Sequence, residues 1–257
     1  SKRRNKRNLQ LQKRLDKSKI RVIIKIYNNK IHTRNMMKLT AETTAILKNY
    51  AAINQNIQFK QGKSLSTISP QKNILTTAEI SEDIPNTFAI YDLNKLLGAL
   101  SLFDKPALTV GEKHLTINGN GSELNYVYGD PSMLVLPPDK TLDFPDPEIK
   151  FKLSKDTYDA CIKAAQVLAL PELVVHGDGN KIFLVATDTN NDSSDDFRRE
   201  VGTTDKEFQM VFKIENMKLL SGSYDVGISS KGIAHFSHEH SKLQYWIATE
   251  QNSNYNG

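Results

Sequence analysis

The chain holds one cysteine, Cys161, and one tryptophan, Trp246, among its 257 residues. A lone cysteine excludes an internal disulfide framework and suits a reducing compartment. No apolar run approaches the roughly 18 residues that a membrane-spanning helix needs, so no membrane partner is expected. There is no Gly-x-Ser-x-Gly, no Walker phosphate loop and no pair of carboxylates in a recognisable catalytic setting. The case for an enzyme is thin. Glycine (13) and proline (9) are too sparse for a collagen-like or low-complexity chain. What remains is a globular composition, 39% hydrophobic and 25% charged. The length fits one large domain or two of about 110 residues.

The charge is unevenly spread. A net charge of +5 and a pI near 9.0 suggest nucleic acid. Yet residues 1–35 contain thirteen basic residues and one acid, whereas the other 222 residues hold 21 bases and 28 acids. An acidic body therefore follows a basic leader. Three readings of that leader stay open: a nucleic-acid-binding tail, a targeting peptide (although no small-residue cleavage site follows it), or a segment outside the working protein. Globular patterning begins at Met37-Lys38-Leu39. The leader, 1–36, is thus expected to be disordered or to precede a functional start at Met36 or Met37.

The body contains an internal repeat. Met37-Lys-Leu-Thr-Ala-Glu-Thr-Thr aligns with Phe151-Lys-Leu-Ser-Lys-Asp-Thr-Tyr, each opening a helix with Thr40 or Ser154 as N-cap. Phe88-Ala-Ile-Tyr-Asp-Leu aligns with Phe212-Lys-Ile-Glu-Asn-Met, a strand running into a short helix capped by Asp92 or Asn216. Ser122-Glu-Leu-Asn-Tyr-Val-Tyr aligns with Ser241-Lys-Leu-Gln-Tyr-Trp-Ile. The extra length of the second copy falls in a polar loop, Asp188 to Asp196. The expectation is two tandem α+β domains, 37–134 and 150–257, with helices on one face of antiparallel sheets. The connector between them, 135–149, carries Pro137, Pro138, Pro145 and Pro147 and reads as extended chain.

Periodicity assigns the helix faces. Thr43, Ile46, Leu47, Tyr50 and Ile53 form the buried stripe of the first helix, and Tyr158, Cys161, Ile162, Ala165 and Leu168 that of the second. Lys48 and Lys163 take the same outward position, with Lys95 and Lys218 on the short helices and Lys155 in a first turn. A solvated face is one reading of these lysines. A surface facing a phosphate backbone is the other, without aromatic platforms for base readout.

Several chemical signals weaken on inspection. His235, His238 and His240 could hold zinc, and a metal-dependent hydrolase is the alternative they support. No Asp, Glu or Cys partner is placed by spacing, so no metal site and no catalytic residue is assigned. Asp188-Thr-Asn-Asn-Asp-Ser opens like a calcium loop, but Ser193 stands where glycine is required and Arg199 where glutamate is. His176-Gly-Asp-Gly-Asn180 reads as a hairpin turn. Cys161, on a buried stripe, reads as packing. No cofactor is expected. A monomeric basic-tailed nucleic-acid-binding module is the second alternative.

The repeated Lys-Leu-x-x-x-Thr openings, the run Phe88-Ala-Ile-Tyr-Asp-Leu-Asn-Lys-Leu-Leu-Gly-Ala-Leu-Ser-Leu and the connector ending in Phe144-Pro145 together resemble a DNA sliding clamp. The resemblance is to the polymerase processivity factors of T-even-type bacteriophages and their cyanobacterial-virus relatives, over about residues 37–250. It implies a homotrimer closed head to tail around double-stranded DNA, with helices on the inner wall. It implies tethering of DNA polymerase, a clamp-loader complex and other factors, transcription factors included, and work in the cytoplasm of an infected bacterial host. Carried onto this chain, the resemblance makes Lys48, Lys95, Lys155, Lys163 and Lys218 DNA-facing. Leu136, Leu142, Phe144 and Pro145 become the partner-peptide pocket. The subunit interface becomes Ser122, Leu124 and Tyr126 on one exposed edge strand, Ser122–Gly129, and Lys181, Phe183 and Val185 on another, Lys181–Asp188.

Overall fold

A computed structural model describes residues 35–139 and 142–256, so the leader apart from Asn35 and Met36 lies outside the described residues. The first half of the chain forms β1 (Met36–Met37), α1 (Ala41–Ile53), β2 (Ile57–Phe59), β3 (Gly62–Ile68), β4 (Ile74–Ile84) and β5 (Phe88–Ile90). It continues through α2 (Leu93–Leu100), β6 (Ala107–Val110), β7 (His114–Gly119) and β8 (Ser122–Val127). A 3-10 turn, Pro131–Met133, opens the connector. The second half begins with β9 (Ile149–Leu153), α3 (Lys155–Val167), β10 (Glu172–Asp178), β11 (Lys181–Thr187), β12 (Phe197–Thr203) and β13 (Glu207–Lys213). It ends with β14 (Tyr224–Ser229), β15 (Ile233–His238), β16 (Leu243–Ala248) and β17 (Asn254–Asn256).

The caps act where the repeat puts them. Thr40 Oγ1 accepts from the Thr43 amide at 3.1 Å and Ser154 Oγ from Thr157 at 3.2 Å. α1 buries the expected Thr43, Ile46, Leu47, Tyr50 and Ile53. α3 buries Tyr158, Cys161 and Ala165, but Leu168 is 41% exposed. The reason is the helix end. Ala169 turns left-handed (φ 52°), and the Leu170 amide returns to the Ala165 carbonyl at 2.8 Å. Leu170, not Leu168, then enters the core.

The two copies also differ at their second helices. Asp92 caps α2, its Oδ1 accepting from the Lys95 amide at 2.8 Å. The counterpart in the second copy is only a 3-10 turn, Ile214–Asn216, with no side-chain cap. Asn216 closes that turn instead of opening a helix, and Lys218 lies beyond it. Lys213, which precedes the turn, offers no side-chain acceptor to cap it, whereas Asp92 caps α2.

Antiparallel pairing dominates. One sheet runs β1-β6-β7-β8, and its repeat equivalent runs β9-β14-β15-β16. The second of these does not stop at β16. Ile247 pairs with Ile74 and Leu243 with Ala78, so β4 and then β3 extend it into a six-stranded sheet drawn from both copies. A five-stranded sheet, β12-β11-β10-β13-β17, backs α3, and β2 pairs with β5. One apolar cluster runs through both copies, from Leu47 and Tyr50 to Phe212 and Tyr245.

The joint between copies is also tied by side chains. The Tyr245 hydroxyl donates to Asn49 Oδ1 at 2.8 Å, and Asn49 Nδ2 donates to the Lys218 carbonyl at 2.8 Å. Within the first copy, Thr76 Oγ1 donates to the buried Tyr50 hydroxyl at 3.2 Å. These are bonds between groups largely removed from water, where an unmade partner is costly.

Candidate functional site

The sequence-assigned residues fall in three places. The first is the outward side of the helices. Lys48, Lys95 and Lys163 are exposed and form no ion pair among the described residues. Lys48 and Lys163 do not share a position, however. Counted from the N-caps Thr40 and Ser154, Lys48 is eighth and Lys163 ninth, and one residue rotates a helix face by about 100°. Lys155 is held by Asp159 one turn on, whose hydrogen bond and charge raise the pKa of its ammonium. Lys218 is committed elsewhere: its Nζ donates to the Ala52 carbonyl at 2.7 Å, at the C-terminal turn of α1. Acids also interrupt the basic face, with Asp156 and Asp159 on α3 and Glu42 on α1. The cations of this face are consequently isolated single charges set among carboxylates.

The second place is a cavity of about 540 Å³ between the connector and the outer face of β9, β14 and β15. Phe144 and Pro147 form one wall, with Val226, Gly227 and His235 opposite. Strand alternation presents Gly227, His235 and Ser237 outward while Val226 and Phe236 are buried beneath. Gly227 is required by the close approach of the connector, since a Cβ there would meet Pro147 Cγ at 2.8 Å. The His235 ring stacks on Trp246 at 4.9 Å and meets Phe144 at 5.3 Å. Its Nε2 lies 2.9 Å from Gln244 Oε1. Burial pulls its pKa below the usual imidazole value, opposed in part by Gln244, so the ring is neutral in the stack at neutral pH. Lys152, paired with Asp225 at 3.2 Å, and Lys150 rim the opening. Of the four residues assigned to this pocket, Phe144 lines it; Leu136, Leu142 and Pro145 are half-buried in the connector and do not. His235 and Gly227 were missed because only the sheet pairing brings them under Phe144; their period-2 pattern was the available signal.

The third place is the strand edges. β8 is an edge, and among the described residues only β7 pairs with it. Leu124 and Tyr126 face inward and are half-buried, while Ser122 is exposed at the strand start. The second assigned edge is not one. β11, carrying Lys181, Phe183 and Val185, pairs with β10 on one side and β12 on the other, so its backbone groups are spent. Among the described residues that sheet ends in β12 on one side and in β17 on the other. The acidic insertion before β12 concealed this strand in the sequence.

The remaining signals resolve into structure. His235, His238 and His240 do not converge: His238 Nδ1 sits 3.0 Å from Ser241 Oγ and the His240 side chain is 80% exposed. Among the described residues no three His, Cys, Asp or Glu side chains are grouped to hold a metal. In the acidic loop, the Asp188 and Asn191 side-chain oxygens each accept an amide two residues on, at 3.0 Å. Cys161 is fully buried, and burial pushes its thiol up to about 11, against a small opposing pull from Arg199.

Comparison with known proteins matches both halves. Residues 38–136 fit the family model described as DNA polymerase processivity factor, and residues 150–251 fit that of the gp45 sliding clamp, C terminal. The sliding clamp of Vibrio phage KVP40 is 32% identical over 222 residues, 83% of this chain and 99% of the relative. The sliding clamp of Enterobacteria phage T4 is 30% identical over 227 residues, 84% of this chain and 98% of the relative. Among solved structures, a DNA polymerase III subunit beta sliding clamp from Bartonella birtlesii superposes with a TM-score of 0.64 at 11% identity, covering 84% of this chain and 65% of that one. PCNA from Thermococcus kodakaraensis gives 0.62 at 12% identity, covering 84% and 98%. At such identities the structures speak for the fold alone. With family models on both repeats and phage relatives aligned over nearly their whole length, the chain belongs to the sliding-clamp family of DNA polymerase processivity factors.

Proposed function

We propose that the chain works as a homotrimeric ring around duplex DNA and tethers the replicative polymerase of a phage in its host's cytoplasm, without catalysis of its own. One observation carries the ring. β4, the third strand after α1, pairs with β16, the third strand after the short second helix of the other copy. The repeat equivalents of that pair are β12 and β8, and among the described residues both are left as free edges. They belong to opposite halves of one chain, so β12 of one molecule completes β8 of the next. Such a head-to-tail contact is heterologous and closes when the rotation per copy divides a circle. Three copies of a two-unit chain give six similar units.

In this ring the exposed side of α1, with Lys48, faces the duplex. A few mobile charges hold the clamp near phosphate without fixing register, which sliding requires. The cavity beneath Phe144 takes an apolar side chain of a partner peptide, from the polymerase, the clamp loader or a transcription factor. Sedimentation over a concentration series tests the ring: a mass three times that of the monomer supports it, and a monomer at micromolar concentration overturns it. Stimulation of the cognate polymerase on a primed circular template tests the tether.

A further inference from the structure

The joint inside the chain is a template for the joint between chains. Within the molecule, Asn49 of α1 touches Tyr245 of β16 at 2.8 Å. Asn49 is the ninth residue from the N-cap Thr40, and the ninth from Ser154 is Lys163. Tyr245 is the fifth residue of Ser241-Lys-Leu-Gln-Tyr, and the fifth of Ser122-Glu-Leu-Asn-Tyr is Tyr126. We infer that Lys163 of one copy crosses the subunit joint to the Tyr126 hydroxyl and the Asp92 carboxylate of the next, so that this lysine is a ring-closing residue and not a DNA contact. The inference rests on the ring reading above.

The receiving side fits a cation. Between α2 and β8 lies a groove of about 510 Å³ lined by Tyr91, Asp92, Lys95, Leu124, Tyr126 and Val127. The Tyr126 hydroxyl donates to the Asp92 carbonyl at 2.9 Å, which leaves its oxygen free to accept. Asp92 spends Oδ1 on the Lys95 amide, and its side chain forms no ion pair among the described residues. The donating side offers two cations. Lys163 lies on α3 and Arg199 on β12, the edge that would pair with β8, and neither has a carboxylate partner among the described residues. Lys95 is the one like charge in the groove. Intramolecularly the place of Lys163 is held by neutral Asn49, whose two amide bonds complete a permanent joint. A charged pair in its place gives a joint that weakens with salt, as an openable ring needs.

The test is a double-mutant cycle with Lys163→Gln and Asp92→Asn, chosen because asparagine keeps the helix cap. Assembly is followed by sedimentation velocity without DNA, with circular dichroism as the control for folding. Each single variant is expected to raise the concentration needed for trimer about tenfold, and the double variant no further. Additive effects, or unchanged assembly of Lys163→Gln together with weaker retention on DNA, would overturn the contact and leave the ring standing. A wild-type chain that stays monomeric would remove the ring reading and the contact with it.

Discussion

The Nζ of Lys218 lies 2.7 Å from the carbonyl oxygen of Ala52, so a lysine of the second copy closes the last turn of a helix in the first. That helix has no basic residue of its own in its last turn. A cation there satisfies an orphan carbonyl and opposes the helix dipole.

Replacing this lysine should therefore act on stability before it acts on DNA. Lys218→Met keeps the stem and removes the charge. It is expected to cost about 1 kcal/mol in urea unfolding, with clamp retention on DNA changed little. A large loss of retention at unchanged stability would return Lys218 to the DNA face.

Lys48 should behave in the opposite way. It is exposed and unpaired among the described residues, so Lys48→Ala is expected to be neutral in stability. Retention on DNA should fall, and the salt dependence should lose a slope of up to about 0.9 for each phosphate contact removed. An unchanged slope would count against this face.

Gly227→Ala probes the connector cavity. The added methyl meets Pro147 at 2.8 Å, so the connector must shift off the sheet. Overpacking of this kind costs about 1–3 kcal/mol. Binding of the polymerase's clamp-binding peptide, followed by fluorescence anisotropy, should weaken roughly five- to a hundredfold at unchanged secondary structure. Undiminished binding would move the docking site elsewhere.

Glu82 sets a pH dependence. Burial raises its pKa, but hydrogen bonds from the Thr43 hydroxyl (2.6 Å) and the Thr40 amide outweigh burial, and the net shift is downward. A carboxylate depressed in the folded state stabilises above its unfolded pKa, and that contribution is lost as pH falls through the folded value. Stability should thus drop below the usual carboxylate range, about pH 4. Glu82→Gln should lower neutral-pH stability by about 1–2 kcal/mol and flatten this acid limb in pH-dependent urea titrations. An identical limb in both proteins would show that other carboxylates control it.

By itself the sequence determined the repeat, both N-caps, the buried stripe of α1, the hairpin at Gly179-Asn180 and the β8 strand. Each is a local property, set by a capping oxygen, a 3.6-residue stripe or a turn residue with positive φ. Tertiary structure alone decided which strands are edges, because alternation reveals the two faces of a strand but not its neighbours in the sheet. The family resemblance therefore assigned Lys181–Asp188 as an exposed edge, and the structure shows β12 paired along it. The same limit hid Lys218 on Ala52, 166 residues away, and His235 beneath Phe144. Long-range pairing, not local propensity, brought those groups together, and among the described residues it left β8 and β12 without the partners that their repeat equivalents, β16 and β4, find in each other.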